Sequence, residues 1–313
     1  MPKLSLPPIG RAVVAGLPLL FGLSCDSGSA VERAAGPPRV LATIGMIGDV
    51  AARIAGENAE VESMMQAGVD PHLYKATEGD VRRLGGADLI LYNGLNLEGK
   101  MGDVLVKVGR TRPVVAVSEG VPKEELREPP EFAGHYDPHI WFDVSLWAKT
   151  IDPIVAALGE IEPASAPAFR ANGDALRAEL LELDAWVKKE IASIPAERRV
   201  LVTAHDAFGY FGRRYGIEVT GLQGISTVSE AGLGDVERVV DTIVARKIPA
   251  IFVESSVPRR AIEAVQKACE SKGWSVKIGG ELFSDAMGPA GTPEGTYVGM
   301  VRHNVKTIVE ALR

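Results

Sequence analysis

The sequence predicts an α/β protein of two lobes, each with a mainly parallel sheet flanked by helices, joined by one long rigid helix. Short apolar strands alternate with amphipathic helices over residues 38–161 and again over residues 197–313. Such alternation is typical of parallel sheets that are covered by helices. Between these regions, residues 162–196 keep a helical spacing of apolar side chains. The order of the elements therefore predicts two α/β lobes and a helical connector.

The first lobe begins with a buried strand over residues 39–44 and a helix over residues 47–56 that ends at a glycine, as helices often do. The remaining elements follow in alternation: strands at 61–65, 87–92 and 113–117, and helices at 78–84, 101–109 and about 145–158. In an open parallel sheet the carboxyl ends of the strands form one edge, and ligands bind there. The loops after these strands are therefore the places to look for a site.

The connector is predicted to be a single helix. Beyond Pro167 its apolar side chains recur at roughly helical spacing until Pro195, which ends the pattern. These side chains are Phe169, Leu176, Leu180, Leu181, Leu183, Trp186, Val187 and Ile191. A helix of about 25 residues spans about 37 Å, which is enough to cross a whole protein. The connector is therefore expected to act as a strut.

The second lobe repeats the alternation of strands and helices without repeating the sequence. Its predicted strands cover 199–204, 219–222, 250–254 and 275–278, and its predicted helices cover 206–215, 229–247, 259–272 and 297–312. The last strand opens a predicted loop over residues 279–294 that contains Asp285.

The first 25 residues are typical of an export signal. Lys3 and Arg11 supply positive charge, and an apolar run over residues 12–24 follows. A run of this length is too short to cross a bilayer as a helix. The mature chain is therefore expected to work outside the cytoplasm.

Cys25 follows the apolar run directly and resembles the lipidated cysteine of bacterial lipoproteins. Gly22 stands where a leucine is usual in that motif, so cleavage without lipidation stays open. Residues 26–37 would form a tether. Only Cys269 would then remain as a thiol, which excludes a disulfide framework and a cysteine pair for a metal.

The composition is that of a soluble globular protein. The 313 residues are 46% hydrophobic and 24% charged, and the formal net charge is −7. A negative balance argues against nucleic acid or an anionic membrane surface as the main partner. It is compatible with a cationic ligand.

Two copies of an Asp-Pro-His motif carry the candidate chemistry. They lie at residues 70–72 and 137–139, each is followed by an apolar and an aromatic residue, and the chain has five histidines in all. An imidazole that binds a metal through one nitrogen needs an acceptor that fixes its other nitrogen. Asp137 and Asp143 are candidates for that role beside His139.

Two further side chains complete the candidate site. His205 and Asp285 each follow a predicted strand of the second lobe, as His72 and His139 follow strands of the first. Three imidazoles and one carboxylate suit a divalent transition metal, whereas calcium or magnesium would prefer oxygen ligands. Glu254, at a strand end, is a candidate to hold one of these rings, although a helix-capping or salt-bridge role fits it equally.

With these motifs in order, the sequence resembles the metal-binding lipoproteins of ABC importers for zinc, manganese and iron, the cluster A-I solute-binding proteins. The resemblance covers essentially the whole mature chain, and five segments carry it: 70–72, 137–141, 203–211, 221–226 and 282–285. It implies two α/β lobes joined by a rigid helix with the metal buried between them. It also implies that His72, His139, His205 and Asp285 are the metal ligands.

The resemblance further implies what the protein does. It would capture a divalent transition metal with high affinity and deliver it to an ABC permease and its ATPase. It would be no enzyme and bind no nucleic acid. It would work as a monomer at the periplasmic or extracellular face of a bacterial membrane, anchored through Cys25. Zn²⁺ fits three imidazoles best, Mn²⁺ follows closely because availability and the permease also select, and Fe²⁺ ranks behind both.

Two other functions stay open at this point. A zinc hydrolase also uses three histidines, but Asp285 would fill its open position, and no HExxH helix supplies a base. A surface adhesin is the second alternative, because some relatives carry that label. No residue pattern in the chain supports a host-binding surface.

Overall fold

The structure, a computed structural model, describes residues 36–313, of which Pro37–Arg313 form one compact unit. The predicted export signal, Cys25 and nearly all of the tether lie outside the described residues. The fold class is confirmed, since parallel strands alternate with flanking helices around one long helix. The division into lobes at residues 161 and 197 stays a prediction. The parts of the chain before and after the long helix are called the N-terminal half and the C-terminal half below.

Eight strands and ten α-helices make up the described chain. The strands are β1 (Arg39–Ala42), β2 (Glu60–Ser63), β3 (Leu89–Tyr92), β4 (Val114–Ala116), β5 (Val200–His205), β6 (Glu218–Gln223), β7 (Ala250–Glu254) and β8 (Lys277–Leu282). The helices are α1 (Gly45–Ala55), α2 (Glu78–Gly86), α3 (Gly102–Val108), α4 (Val144–Trp147), α5 (Ile151–Ile161), α6 (Ala166–Ala192), α7 (Gly209–Tyr215), α8 (Leu233–Arg246), α9 (Arg260–Ser271) and α10 (Tyr297–Leu312). None of these helices is long and apolar enough to cross a membrane.

The strands of the N-terminal half form one parallel sheet in the order β2-β1-β3-β4. Those of the C-terminal half pair two by two, β5 with β6 and β7 with β8, again in parallel. Strand β5 lies beside β7, and the backbone N–H of His205 donates to Glu254 at the ends of these two strands. In both halves, the carboxyl ends of the strands therefore lead into the loops that carry the candidate site.

Strand β8 begins and ends later than predicted, because Gly279 and Gly280 continue it rather than begin the predicted loop. A Cβ atom on Gly279 would lie 2.7 Å from the Cβ of Ala311, and one on Gly280 would lie 2.4 Å from Cγ2 of Thr307. The two glycines thus let α10 pack directly on the strand, which is the close backbone approach that glycine permits in a sheet.

The helix predicted over residues 145–158 is interrupted. Helix α4 ends at Trp147, a 3-10 turn covers Ala148–Thr150, and α5 begins at Ile151. Pro153 explains the interruption: it has no N–H to donate to the carbonyl of Lys149, but it is tolerated in the first turn of a helix, where it lies in α5.

The predicted strut is α6, a single helix of 27 residues that is about 40 Å long. It packs against α1 and α5 of the N-terminal half and against α7 and α10 of the C-terminal half. Leu181, one of the apolar side chains in the predicted helical pattern, is 51% exposed. Trp186 is only partly buried, and the guanidinium of Arg302 lies 4.8 Å from its ring centroid.

The main apolar core is continuous across the two halves. It includes residues of β1, α5, α6, α7 and α10. The rings of Phe142 and Phe208 stack across the halves with their centroids 4.1 Å apart, and those of Trp147 and Tyr297 lie 5.7 Å apart. A smaller cluster lies entirely in the C-terminal half, around Val202, Ile251 and Ile262. The site described next therefore lies between segments that a shared core holds together.

Candidate metal centre

Four side chains from four separate loops or strand ends meet at one buried point. His72, His139, His205 and Asp285 each offer one donor atom, and these atoms all lie within 4.8 Å of one another. His139 and His205 are 0% exposed, Asp285 is 1% exposed and His72 is 4% exposed. The structure thus brings together all four residues that the sequence proposed as ligands, two from each half.

The first Asp-Pro-His copy fixes the backbone of His72. Asp70 Oδ1 accepts the His72 backbone N–H at 2.8 Å, so the aspartate closes a turn over the proline. The other carboxylate oxygen, Oδ2, accepts the hydroxyl of Thr227 at 2.6 Å. Among the described residues, no hydrogen-bond partner faces the His72 Nδ1 atom.

The second copy fixes both the backbone and the ring of His139. Asp137 Oδ1 accepts the His139 backbone N–H at 3.0 Å and also lies 2.8 Å from Nδ1 of its ring. Asp137 Oδ2 accepts from Arg127 Nη1 at 2.5 Å. With Nδ1 occupied by the carboxylate, Nε2 of His139 points to the centre of the site, which is the usual arrangement for a metal ligand.

His205 is the last residue of β5 and is held from β7. Glu254 Oε1 accepts the His205 backbone N–H at 2.9 Å, and Oε2 lies 2.5 Å from Nδ1 of the ring. Glu254 is itself buried. Both carboxylate oxygens thus contact one histidine, which leaves its Nε2 free for the site.

Asp285 lies in the loop that follows β8. The residue before it, Ser284, accepts a hydrogen bond on its backbone carbonyl from Trp141 Nε1 at 3.0 Å. Trp141 follows His139 closely in the chain, and the centroids of the two rings lie 5.2 Å apart. One segment of the N-terminal half thus carries one ligand and contacts the loop of another.

The spacing of the donor atoms suits a single ion. The Nε2 atoms of His72 and His139 are 3.2 Å apart. Asp285 oxygens lie 3.3 Å from Nε2 of His205, 3.4 Å from that of His139 and 3.6 Å from that of His72. A tetrahedral ion with ligands at about 2.0–2.1 Å separates them by about 3.3 Å. His205 Nε2 and both Asp285 oxygens are buried and have no hydrogen-bond partner among the described residues, so a cation would satisfy them.

The electrostatic environment differs from one histidine to the next. Burial, only partly offset by Asp285, lowers the pKa of His72 to about 3. Burial opposes the charge on His139 too, but the carboxylate of Asp137, hydrogen-bonded to its ring, and the nearby carboxylate of Asp285 outweigh it and raise the pKa of His139 to about 9. For His205 the charges of Glu254 and Asp285 likewise outweigh burial and raise the pKa well above the usual range. Without a metal, the site therefore holds protons that an ion must displace.

Asp285 shows the opposite shift. Burial alone would raise the pKa of its carboxyl, but the nearby imidazoles of His205 and His139 lower that pKa well below its usual range. The carboxylate is thus ionised at neutral pH and ready to bind a cation.

Asp143 does not hold a histidine ring, in contrast to the expectation from sequence. Its Oδ1 accepts the backbone N–H groups of Ser145 at 3.0 Å and Leu146 at 3.2 Å, so it caps α4. It also lies 3.6 Å from Nε of Arg214. The two aspartates that flank His139 in the chain therefore have different roles, because only Asp137 folds back over the proline.

Sequence reasoning missed Arg127, Thr227 and Tyr210 as residues that contact the ligand segments. Tyr210 donates from its hydroxyl to the backbone carbonyl of Asp137 at 2.9 Å. Tyr210 lies in segment 203–211 and Thr227 directly follows segment 221–226. These segments carry the family resemblance, which is the only signal that could have pointed to the two residues.

The chain matches the protein-family model described as ZnuA, zinc-uptake complex component A, periplasmic, over residues 40–311. It is 52% identical over 301 residues to zinc-binding protein TroA of Treponema pallidum, which covers 96% of this chain and 97% of that protein. It is 50% identical over 289 residues to manganese-binding lipoprotein MntA of Bacillus subtilis, covering 92% and 94%. The solved structure of periplasmic zinc-binding protein TroA from Treponema pallidum superposes with a TM-score of 0.86 at 53% identity and covers 88% of this chain and 99% of that one.

Proposed function

The chain belongs to the ZnuA family of metal-binding periplasmic proteins, and on that basis we propose that it captures a divalent transition metal outside the cytoplasm and delivers it to an ABC permease. Family membership confirms the resemblance found in the sequence. The ion is the cargo of the protein rather than a resident cofactor.

The observation that carries this proposal is the buried set of three histidines and one aspartate. All four donors come from the protein, none is a sulfur, and their spacing suits one ion. Nitrogen and oxygen donors of this kind suit Zn²⁺ and Mn²⁺, whereas soft sulfur ligands would select copper(I). His72, His139, His205 and Asp285 are therefore proposed as the ligands, with Asp137 and Glu254 holding two of the rings.

Zinc is proposed as the tighter-binding ion, with manganese as the second cargo. The Irving–Williams order places Zn²⁺ above Mn²⁺ and Fe²⁺ for a given nitrogen and oxygen site. The two relatives compared above bear the names of a zinc-binding and a manganese-binding protein, so both ions are found in the family. The ion that reaches the cell would then depend on supply and on the permease as well as on affinity.

We further propose that the protein acts as a monomer, anchored to the membrane by a lipid on Cys25, next to its permease and ATPase. The relatives include proteins named as lipoproteins of metal ABC transporters. Mass spectrometry of the membrane-associated protein would test this part. An unmodified cysteine, or a chain cleaved beyond it, would overturn the anchor without affecting the metal site.

Catalysis is not part of the proposal. A catalytic zinc site has three protein ligands and an open position for water, whereas four protein donors make a closed site. The family consists of binding components of transporters. Hydrolysis of model esters or peptides by the zinc-loaded protein would revive the hydrolase alternative.

Elemental analysis of protein purified from its native host, followed by competition between Zn²⁺ and Mn²⁺ on the chelator-treated protein, tests the proposed function. We expect one ion per chain and tighter binding of zinc. A chain that takes up neither ion would overturn the proposal. The His139→Ala variant provides the control for binding outside the site.

A further inference from the structure

Three of the four ligand segments receive a hydrogen bond from the opposite half of the protein. Thr227, Tyr210 and Trp141 are the donors, and their partners are Asp70, Asp137 and Ser284. None of the three donors is among the four residues that surround the candidate ion. Other hydrogen bonds also join the halves, such as those from Arg213 to Glu125 and from the Tyr297 backbone to Asp49, but these three end on the segments that present the ligands.

Thr227 of the C-terminal half acts on His72 through Asp70. Its hydroxyl donates to Asp70 Oδ2 at 2.6 Å, while Asp70 Oδ1 accepts the His72 backbone N–H at 2.8 Å. The carboxylate thus connects a loop of one half to a ligand of the other. A shift of Thr227 would move the acceptor that fixes the His72 backbone.

Tyr210 of the C-terminal half acts on His139 through Asp137. Its hydroxyl donates to the Asp137 carbonyl at 2.9 Å and accepts the backbone N–H of Arg127 at 3.0 Å. Asp137 in turn holds the His139 ring. The Arg127 guanidinium fits against Gly209, where a Cβ atom would lie only 1.4 Å from Nη1. A side chain at position 209 would therefore displace the Arg127 guanidinium from this place.

The third hydrogen bond runs from the N-terminal half to the C-terminal half, and Trp141 is its donor. Its indole N–H donates to the carbonyl of Ser284 at 3.0 Å, directly before Asp285. The side chain of Ser284 lies 2.9 Å from that of Ser256, which fixes the same loop from within the C-terminal half. The contact from Trp141 thus sets the position of Asp285 relative to His139.

We propose that Thr227, Tyr210 and Trp141 are positioning residues for the metal, which brace the ligand segments of one half from the other half. The proposal rests on the proposed function of metal capture. His205 is the exception, because Glu254 holds it within its own half. Residues that orient ligands without touching the ion commonly change metal affinity 10- to 100-fold when they are replaced. The metal affinity of this protein therefore depends on donors that never contact the ion.

The structure offers a matched control. Tyr215 lies on the same helix as Tyr210 and is also buried. Its hydroxyl also bonds across the halves, accepting the backbone N–H of Val144 at 3.3 Å and donating to Asp184 at 3.1 Å. Neither Val144 nor Asp184 holds a proposed metal ligand in place. Tyr215→Phe thus removes an equivalent hydroxyl and leaves the ligand segments braced.

The test compares Tyr210→Phe and Tyr215→Phe for Zn²⁺ affinity by competition with a chelator, for the absorption spectrum of bound Co²⁺, and for the melting temperature of the metal-free protein. We expect Tyr210→Phe to weaken Zn²⁺ binding on the order of tenfold and to change the Co²⁺ spectrum, which reports ligand geometry. Tyr215→Phe should keep the wild-type affinity and spectrum even if it melts at a lower temperature.

Equal Zn²⁺ affinity and an unchanged Co²⁺ spectrum in Tyr210→Phe would overturn the proposal, and so would an equal loss in both variants. Thr227→Val, at the rim of the site, decides the question in the same way if Tyr210→Phe does not fold. Trp141→Phe can be compared with Trp274→Phe, since the Trp274 indole donates to Ile248 within the C-terminal half. A wild-type protein that binds no Zn²⁺, Co²⁺ or Mn²⁺ would overturn the proposed function itself.

Discussion

The two Asp-Pro-His copies have the same local backbone fold, but the tertiary contacts of their aspartates differ. In both, the aspartate accepts the backbone N–H of the histidine, at 2.8 Å for His72 and 3.0 Å for His139. In the second copy the same oxygen also contacts the histidine ring. In the first copy the carboxylate turns instead to Thr227.

This difference sets the chemistry of each ring. The pKa of His139 is raised to about 9, mainly because hydrogen bonds to carboxylates outweigh burial, whereas burial lowers the pKa of His72 to about 3. A three-residue motif thus fixes where a histidine sits, while the tertiary surroundings fix its charge. Four predictions test this contrast.

The largest expected effect is the loss of a ligand. His139→Ala and His72→Ala should each weaken Zn²⁺ binding by roughly 100- to 1,000-fold, since about 10–16 kcal/mol of apparent binding energy is shared among four ligands. The loss should be greater for His139, because Asp137 orients its ring in advance. Competition titrations measure both variants. Equal losses would show that the orientation by Asp137 adds nothing.

The second effect is the dependence of affinity on pH. With raised pKa values, His139 and His205 hold protons at pH 7 in the metal-free protein, whereas His72 does not. Zinc binding at pH 7 should therefore release about two protons, so affinity should rise by about 100-fold per pH unit and level off towards the pKa of His139. Calorimetry in buffers of different ionisation enthalpy counts the protons. Binding without proton release would contradict the assigned charges.

The third effect compares the two aspartates. Asp137→Asn should weaken Zn²⁺ binding by about 10- to 100-fold, because an amide cannot accept from both His139 and Arg127 as the carboxylate does. Asp70→Asn should cost about threefold or less, since its amide can accept from His72 and donate to Thr227. If Asp70→Asn proves the more damaging, the assigned difference between the copies is incorrect.

The smallest expected effect is on stability: replacing Asp143 should change the stability of the fold but not the zinc affinity, in contrast to Asp137. Asp143→Ala should lower the free energy of unfolding by about 1–2 kcal/mol through loss of the α4 cap and leave Zn²⁺ affinity unchanged. Asp143→Asn, which can still accept the backbone N–H groups, serves as the control for stability. Denaturant unfolding of the metal-free protein measures the first quantity. A drop in Zn²⁺ affinity for Asp143→Ala would show that this residue contributes to the metal site.

The sequence was informative where a local pattern determines the structure. Alternating apolar segments predicted the strands and helices, and α10 has the predicted bounds. The four candidate ligands follow strands, and parallel strands end at one edge, so their convergence could be predicted before any coordinates.

The sequence did not predict contacts between residues that lie far apart in the chain. Gly279 and Gly280 were predicted to begin a loop, but they continue β8 and let α10 pack on it. Asp143 resembled a partner of His139 but caps a helix. The residues around Tyr210 and Thr227 gave no indication of their partners, which lie 73 and 157 residues away in the chain. Such contacts depend on how loops meet across the halves, which no short pattern records.

The apolar core that passes unbroken beneath both halves has a kinetic consequence. Because this core joins the halves, we expect it to limit their separation, so that the ion enters and leaves through local movement of a surface loop. His72 retains the most solvent access of the four donors, at 4%. Release would then begin at the loop around His72, and under the proposed function the residence time of the ion would depend on how often that loop moves.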